Sequence, residues 1–138
     1  MLRFFVPGQP VGKGRPKATR QSGFVRMYTP AKTVSYESLV SHAAHVAMGS
    51  ANLFDGPVSV VLCIRFQTPA SWSKKKQALA TGGGLWPTTK PDIDNIEKAI
   101  FDALNGVVWR DDVQVCQVAK TKRYASAPGV DVTIEALT

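Results

Sequence analysis

The chain has 138 residues, with 17 Lys and Arg against 10 Asp and Glu, for a formal net charge of +7. A hydrophobic content of 44% excludes a disordered chain, and the length predicts a single domain over residues 1–138. The positive charge predicts an acidic partner, with nucleic acid the first candidate and a membrane surface the second. No basic amphipathic helix or apolar run of transmembrane length in the sequence supports a membrane as the partner.

The first third of the chain combines a strand, a basic segment and a helix. Residues 2–6 are predicted to form a strand that ends at Pro7. Residues 13–28 are rich in Gly, Pro and cations and carry no acid, which predicts a mobile basic loop or a hairpin. An amphipathic helix is predicted over 30–48. Its apolar face is expected to consist of Tyr36, Leu39, Val40, Ala43, Ala44 and Ala47.

The remainder of the chain alternates predicted strands and helices. The β-branched run at 58–67 is expected to be a central strand of the sheet. Further predicted elements are a short helix or ordered loop at 69–80, a helix at 95–104, and strands at 113–124 and 130–137. This order predicts an α+β fold, in which helices pack on one side of a mixed β-sheet.

Cysteine usage and the start of the chain bear on its location. Cys63 and Cys116 stand in no metal or redox spacing, so both are expected to be reduced thiols in the core. The apolar run before Pro7 is too short for a secretory signal. The expected location is therefore the cytoplasm.

Carboxylates crowd one part of the chain. Six of the ten acidic residues fall between Asp92 and Asp112, whereas seven cations precede the first acid, Glu37. Crowded carboxylates raise one another's pKa and oppose the compact state, and a divalent cation removes this cost. Asp92 and Asp94 are separated by one residue, so in an extended segment both side chains would point to the same side and could bind one ion. The alternative is that Asp94 only caps the next helix, with Glu97 completing a capping box.

Lys98 lies on the polar face of the predicted helix at 95–104, close to Asp92 and Asp94. An ammonium group there would position a phosphate or stabilise a developing charge. The alternative is an ion pair with Asp94 or Asp102, each four residues away.

Asp111 and Asp112 form a second acidic pair after the helix. A return of the chain would bring this pair back to Asp92 and Asp94. The alternative is that both are turn residues at the start of the next strand.

These residues carry a resemblance to a known family. The run from Lys90 to Gly106, followed by Trp-Arg-Asp-Asp-Val-Gln-Val, resembles the signature of RusA-type Holliday junction resolvases, particularly phage and prophage members. Gly-Gln-Pro-Val-Gly-Lys-Gly-Arg-Pro-Lys and Tyr-Thr-Pro-Ala-Lys-Thr resemble the opening of that family. The resemblance implies an endodeoxyribonuclease that uses Mg²⁺, or Mn²⁺ in its place, to resolve four-way DNA junctions by paired nicks. It also implies an intertwined homodimer in a bacterial or phage-infected cytoplasm.

The resemblance also assigns roles to single residues. It implies that Asp92, Asp94 and Asp112 are catalytic metal ligands, with Asp111 a weaker candidate, and that Lys98 is the catalytic lysine. Some family members carry a run of arginines before the first aspartate, where this chain has only Lys90.

Basic residues outside this region predict contact with the DNA backbone. The cations expected to bind phosphates are Lys13, Arg15, Lys17, Arg20, Arg26 and Lys90, and two further clusters lie at 74–76 and 120–123. The alternative is an ordinary solvated surface. Phe24 and Tyr28 in the basic segment would stack on bases of an opened junction or pin the segment to the core.

Three functions are compatible with these features of the sequence. The first is resolution of Holliday junctions in DNA recombination and repair. The second is a less selective nuclease for flaps and other branched DNA. The third is a catalytically silent DNA-binding module whose carboxylates hold a structural ion.

Overall fold

The computed structural model describes residues 1–21 and 23–138. In chain order the elements are β1 (Leu2–Pro7), β2 (Lys17–Gln21), β3 (Phe24–Tyr28), α1 (Ala31–Met48), β4 (Val58–Gln67), α2 (Lys74–Thr81), α3 (Ile93–Leu104), a 3₁₀ turn (Asp112–Gln114), β5 (Val115–Ala125) and β6 (Gly129–Ala136). The predicted α+β class is confirmed.

The main sheet is mixed and has the strand order β1-β6-β4-β5. Strand β4 is central, as the β-branched run predicted, and it runs antiparallel to β6 and parallel to β5. Alternate residues of β4, from Val58 to Phe66, are buried, whereas Val61 and Cys63 between them are exposed. One face of the sheet is therefore covered and the other open, which confirms that the helices pack on one side.

Helices α1 and α3 cover the buried face of the sheet and pack against each other. The buried residues of α1 are Thr33, Tyr36, Val40, Ala44 and Met48, and those of α3 are Ile96, Ala99, Ile100, Ala103 and Leu104. The expected apolar face of α1 was wrong in part, because Leu39 and Ala47 lie on the exposed side. Within the described residues, no helix is both long and apolar enough to cross a bilayer.

Both cysteines are exposed, so their expected place in the core was wrong. Cys63 belongs to the alternate positions of β4 that face away from the helices. Cys116 lies near the start of β5, which is an edge strand of the sheet.

The basic segment contains a hairpin, one of its two predicted forms. Strands β2 and β3 pair antiparallel, from Lys17 opposite Tyr28 to Gln21 opposite Phe24, and form a separate two-stranded sheet. Residues 8–16 connect β1 to this hairpin and run between the first turns of α1 and α3.

Candidate functional site

The first acidic pair lies at the start of α3. Asp92 is the N-cap residue but makes no side-chain cap hydrogen bond, and Asp94 lies within the first turn. Both residues are exposed, and neither forms an ion pair in the described chain. The interpretation of Asp94 as the helix cap was therefore wrong. The expected extended geometry holds for the backbone of Asp92 but was wrong for Asp94, which is helical. Glu97 completes no capping box and instead pairs with Lys120 at 3.0 Å.

An open cleft of ≈ 720 Å³ lies in front of Asp92. It runs between the starts of α1 and α3 along residues 10–17. The charged residues that line it are Lys13, Arg15, Lys17, Lys32, Lys90 and, as the one acid, Asp92. The cleft is therefore strongly electropositive beside a single carboxylate, which suits a bound polyanion.

Two glycines allow the connecting segment to pass close to both helices. A Cβ atom on Gly12 would lie 2.9 Å from Cβ of Pro91, and one on Gly14 would lie 2.9 Å from Oγ1 of Thr33. The N–H of Gly14 donates a hydrogen bond to the same Thr33 oxygen at 3.0 Å. These glycines therefore shape the wall of the cleft by close packing, whereas the sequence had indicated only the absence of regular structure.

Lys13 is half-buried and is held by two carboxylates. Its Nζ lies 2.5 Å from Oε1 of Glu37 on α1 and 3.1 Å from Oδ2 of Asp102 on α3. Burial alone would lower the pKa of Lys13, but the hydrogen bonds to Glu37 and Asp102 outweigh it and raise the pKa. Lys13 thus links the two helices, and its ammonium group is less available to DNA than the sequence had suggested.

Lys98 projects from the exposed side of α3. The alternative ion pair with Asp94 or Asp102 does not form, since no ion pair of Lys98 occurs within the described residues. Asp102 pairs with Lys13 instead. The ammonium group of Lys98 therefore remains available for a ligand on the same side of α3 as Asp94.

Lys122 fixes the backbone that leads into Asp92. Its Nζ donates hydrogen bonds to the carbonyl oxygens of Thr89 at 2.9 Å and Pro91 at 3.1 Å. The same ammonium lies 4.8 Å from the ring centroid of Phe66. The sequence placed Lys122 in a basic DNA-binding cluster, and no sequence signal relates it to residues 89–91. Its contacts hold the backbone directly before Asp92.

The rest of the cluster at 120–123 is also used within the protein. Lys120 pairs with Glu97, and Arg123 donates to the carbonyl oxygen of Gly83 at 3.2 Å. The guanidinium of Arg123 also stacks on Trp86, 3.8 Å from the ring centroid. These three cations are therefore engaged within the protein, whereas the cluster at 74–76 is exposed.

Asp111 stabilises the 3₁₀ turn. Its Oδ1 accepts a hydrogen bond from the N–H of Val113 at 3.1 Å, and Oε1 of Gln114 accepts one from the N–H of Asp111 at 3.3 Å. Together these contacts form a capping box. The carboxylate of Asp111 therefore has a structural role.

Asp112 is half-buried beside the C-terminal end of α3. Burial raises its pKa, and the charges of Asp111 and Asp102 raise it further, while a hydrogen bond with Asn105 lowers it. Oδ1 of Asn105 accepts a hydrogen bond from Nε1 of the buried Trp109 at 2.7 Å, which fixes the orientation of the amide. The proximity of Asn105 to Asp112 was not apparent from the sequence.

The two acidic pairs lie at opposite ends of α3. The helix rises about 16 Å from Asp94 to Asn105, the residue that contacts Asp112. Among the described residues, no group of three His, Cys, Asp or Glu side chains is placed to hold one metal ion. The expected return of Asp112 to Asp92 and Asp94 therefore does not occur within one chain.

Comparisons with known proteins agree with the resemblance in the sequence. The family model described as Endodeoxyribonuclease RusA matches residues 7–135. The chain is also 38% identical over 135 residues to the uncharacterized protein YqaN of Bacillus subtilis (strain 168). That similarity covers 96% of this chain and 94% of the relative.

Proposed function

Because this chain belongs to the RusA endodeoxyribonuclease family, we propose that it resolves four-way DNA junctions by paired nicks in recombination and repair. The observation that carries the proposal is the position of Asp92, which forms no ion pair with any described residue, at the edge of a cleft lined by cations. Such a cleft holds a phosphate backbone beside a carboxylate able to bind a divalent cation. The proposed location is the cytoplasm of a bacterial or phage-infected cell, where such DNA would be met.

The donor chemistry fits Mg²⁺, or Mn²⁺ in its place. Asp92, Asp94 and Asp112 supply carboxylate oxygens, and none of them forms an ion pair in the described chain. Mg²⁺ is commonly held by one or two carboxylates together with water and substrate phosphates. When bound, the ion would supply stabilisation of negative charge on the phosphate. The capping role of Asp111 supports Asp112 as the ligand of that pair.

The chain's own residues hold and orient the DNA. Arg15, Lys17 and Lys90 on the cleft contact successive phosphates and set the position of the strand. Lys98 directs its ammonium toward the phosphate that is cut and stabilises charge that develops there. Lys122 keeps the backbone before Asp92 in place, so that the carboxylate meets the phosphate without rearrangement.

A homodimer is part of the proposal. Two cuts related by two-fold symmetry require two sites, which a homodimer supplies. Among the described residues no three carboxylates surround one position, which supports a site shared between two chains. A second copy, placed so that its Asp112 end of α3 meets the Asp92 end of the first, would complete both sites.

The substrate test offers the protein a four-way junction, a flap and a linear duplex, each with Mg²⁺ and with EDTA. Paired nicks in the junction alone, dependent on Mg²⁺, are expected. Faster cutting of the flap would favour the less selective nuclease. Binding without cutting under all conditions would favour the silent DNA-binding module.

The shared site is tested by mixing two inactive variants, Asp92→Asn and Asp112→Asn. If each site combines both ends of α3 from different chains, a heterodimer contains one intact site and one doubly substituted site. Equal mixing makes about half of the dimers heterodimers, so about a quarter of the wild-type sites should return, as single nicks. A mixture that stays inactive although the two chains exchange would show that each chain holds its own metal.

A further inference from the structure

The hairpin of β2 and β3 stands apart from the rest of the protein. The two strands contact each other and make no comparable contact with another helix or strand among the described residues. All five residues of β3 are exposed, including four apolar or aromatic ones. An isolated two-stranded hairpin is marginally stable in water, so this ribbon is suited to binding a partner.

The strand register gives the ribbon two different faces. Opposite residues of an antiparallel pair share a face, and Lys17 lies opposite Tyr28 and Thr19 opposite Arg26. Phe24 alternates with Arg26 and therefore belongs to the same face. We call this the aromatic face, and it combines two aromatic rings with two cations.

The opposite face is largely aliphatic. Here Ala18 lies opposite Met27 and Arg20 opposite Val25. We call it the aliphatic face. The sequence showed that this segment contains aromatic residues and cations, but only the register shows that both aromatic rings fall on one side.

We infer that the aromatic face binds the branch point of the DNA, where its rings stack on unpaired bases while its cations contact phosphates. This inference rests on the proposed function and adds a second DNA surface beyond the cleft. Phe24 is 75% and Tyr28 48% exposed, so both rings can receive a base. Aromatic rings interleaved with cations are the common means of binding unpaired nucleotides.

The position of the hairpin supports the same partner. Lys17 lines the cleft beside Asp92, and its neighbour across the ribbon is Tyr28. Four residues of strand carry the chain about 14 Å from Tyr28 to Phe24. The aromatic face therefore extends outward from the cleft, so one DNA molecule can contact both.

Charge favours DNA over a second copy of this chain as the occupant. Residues 13–28 contain five cations and no acid. Two such ribbons brought together would repel each other, whereas a polyanion neutralises them.

The test compares matched variants of the two faces, Phe24→Ser with Tyr28→Ser against Val25→Ser with Met27→Ser. Affinity is measured in Ca²⁺ without Mg²⁺, for a four-way junction and for a linear duplex of the same arm sequence. The aromatic-face variant should lose about five- to a hundredfold in junction affinity for each base that is stacked, with little change for the duplex. The aliphatic-face variant should keep the ratio of junction to duplex affinity, and both variants should keep the wild-type thermal unfolding temperature.

Three results would overturn the inference. An unchanged ratio in the aromatic-face variant would mean that the rings meet no unpaired base. An equal fall in the ratio of junction to duplex affinity in both variants would show that the two faces do not differ in binding the branch point. A shift of the aromatic-face variant from dimer to monomer in sedimentation, with the ratio unchanged, would assign the ribbon to a second copy. Failure of the proposed function is distinguishable, because the wild-type protein would then make no paired nicks in the four-way junction.

Discussion

Replacement of Lys13 by Met tests whether this residue serves the fold or the DNA. The substitution keeps most of the apolar stem and removes the ammonium that lies between Glu37 and Asp102. Lys13 is 20% exposed, so its ion pairs lie between the surface and buried classes. Surface pairs contribute about 0.2–1 kcal/mol, and loss of one partner of a buried pair costs about 3–5 kcal/mol.

The expected loss for Lys13→Met is therefore about 1–3 kcal/mol in the free energy of unfolding. For a chain of this size, that corresponds to a fall of about 3–10 °C in Tm. The raised pKa of Lys13 adds a pH signature. Its stabilisation is fully present below the ordinary lysine pKa of about 10.4 and is lost as pH rises through the higher folded value. The difference in stability between wild type and variant should accordingly narrow only in strongly alkaline solution.

The assay combines thermal or urea unfolding with junction affinity across a salt series. Lys13→Met should leave the slope of log affinity against log salt unchanged, because its charge is already used by two carboxylates. The matched control is Arg15→Gln on the cleft, which should flatten that slope by about 0.9 and leave stability unchanged. A Lys13→Met protein with wild-type stability and a flattened slope would refute the structural role and make Lys13 a phosphate contact.

Three further predictions concern the acidic ends of α3 and the residues around them. Asp112→Asn should abolish cleavage in a single-turnover assay yet keep junction affinity. Asp111→Asn should retain most cleavage and lose about 1 kcal/mol in the free energy of unfolding by urea, as expected for a lost cap. If Asp111→Asn were inactive and Asp112→Asn active, Asp111 would be the ligand. Lys98→Ala should lower kcat by an order of magnitude or more with KM little changed, and a change in KM alone would make Lys98 a simple phosphate contact. Lys122→Met should lower kcat because Asp92 is displaced, and Lys122→Arg should restore part of the activity. A loss of duplex affinity with kcat unchanged would instead show that Lys122 contacts DNA.

Much of the fold could be predicted from the sequence, because the relevant patterns are local. The β-branched run predicted β4 and its central position, and helical periodicity predicted α1 to within one residue of its observed start. The crowding of carboxylates around α3 in a cationic chain also predicted a metal and DNA site there, which stays a prediction. Each of these signals depends on residues close together in the sequence.

The partners of individual charged side chains could not be predicted from the sequence. Lys13 and Lys122 looked like surface cations, but their partners lie 24 and 31 or more residues away in the chain. Packing of α3 against α1 and β5 brings these groups together. A charge pattern reports how many cations a segment carries and leaves open which of them are already paired.

For the acidic residues too, the sequence predicted which residues matter, and the structure decided where they lie. Residue type and spacing by themselves pointed to Asp92, Asp94 and the pair Asp111 and Asp112, and the family resemblance then selected Asp112 from that pair. Only the tertiary structure placed Asp112 against Asn105, at the end of α3 away from Asp94, and separated the two faces of the β2–β3 hairpin. The physical reason is that local propensity specifies helices and strands, whereas the distance between two side chains depends on how those elements pack.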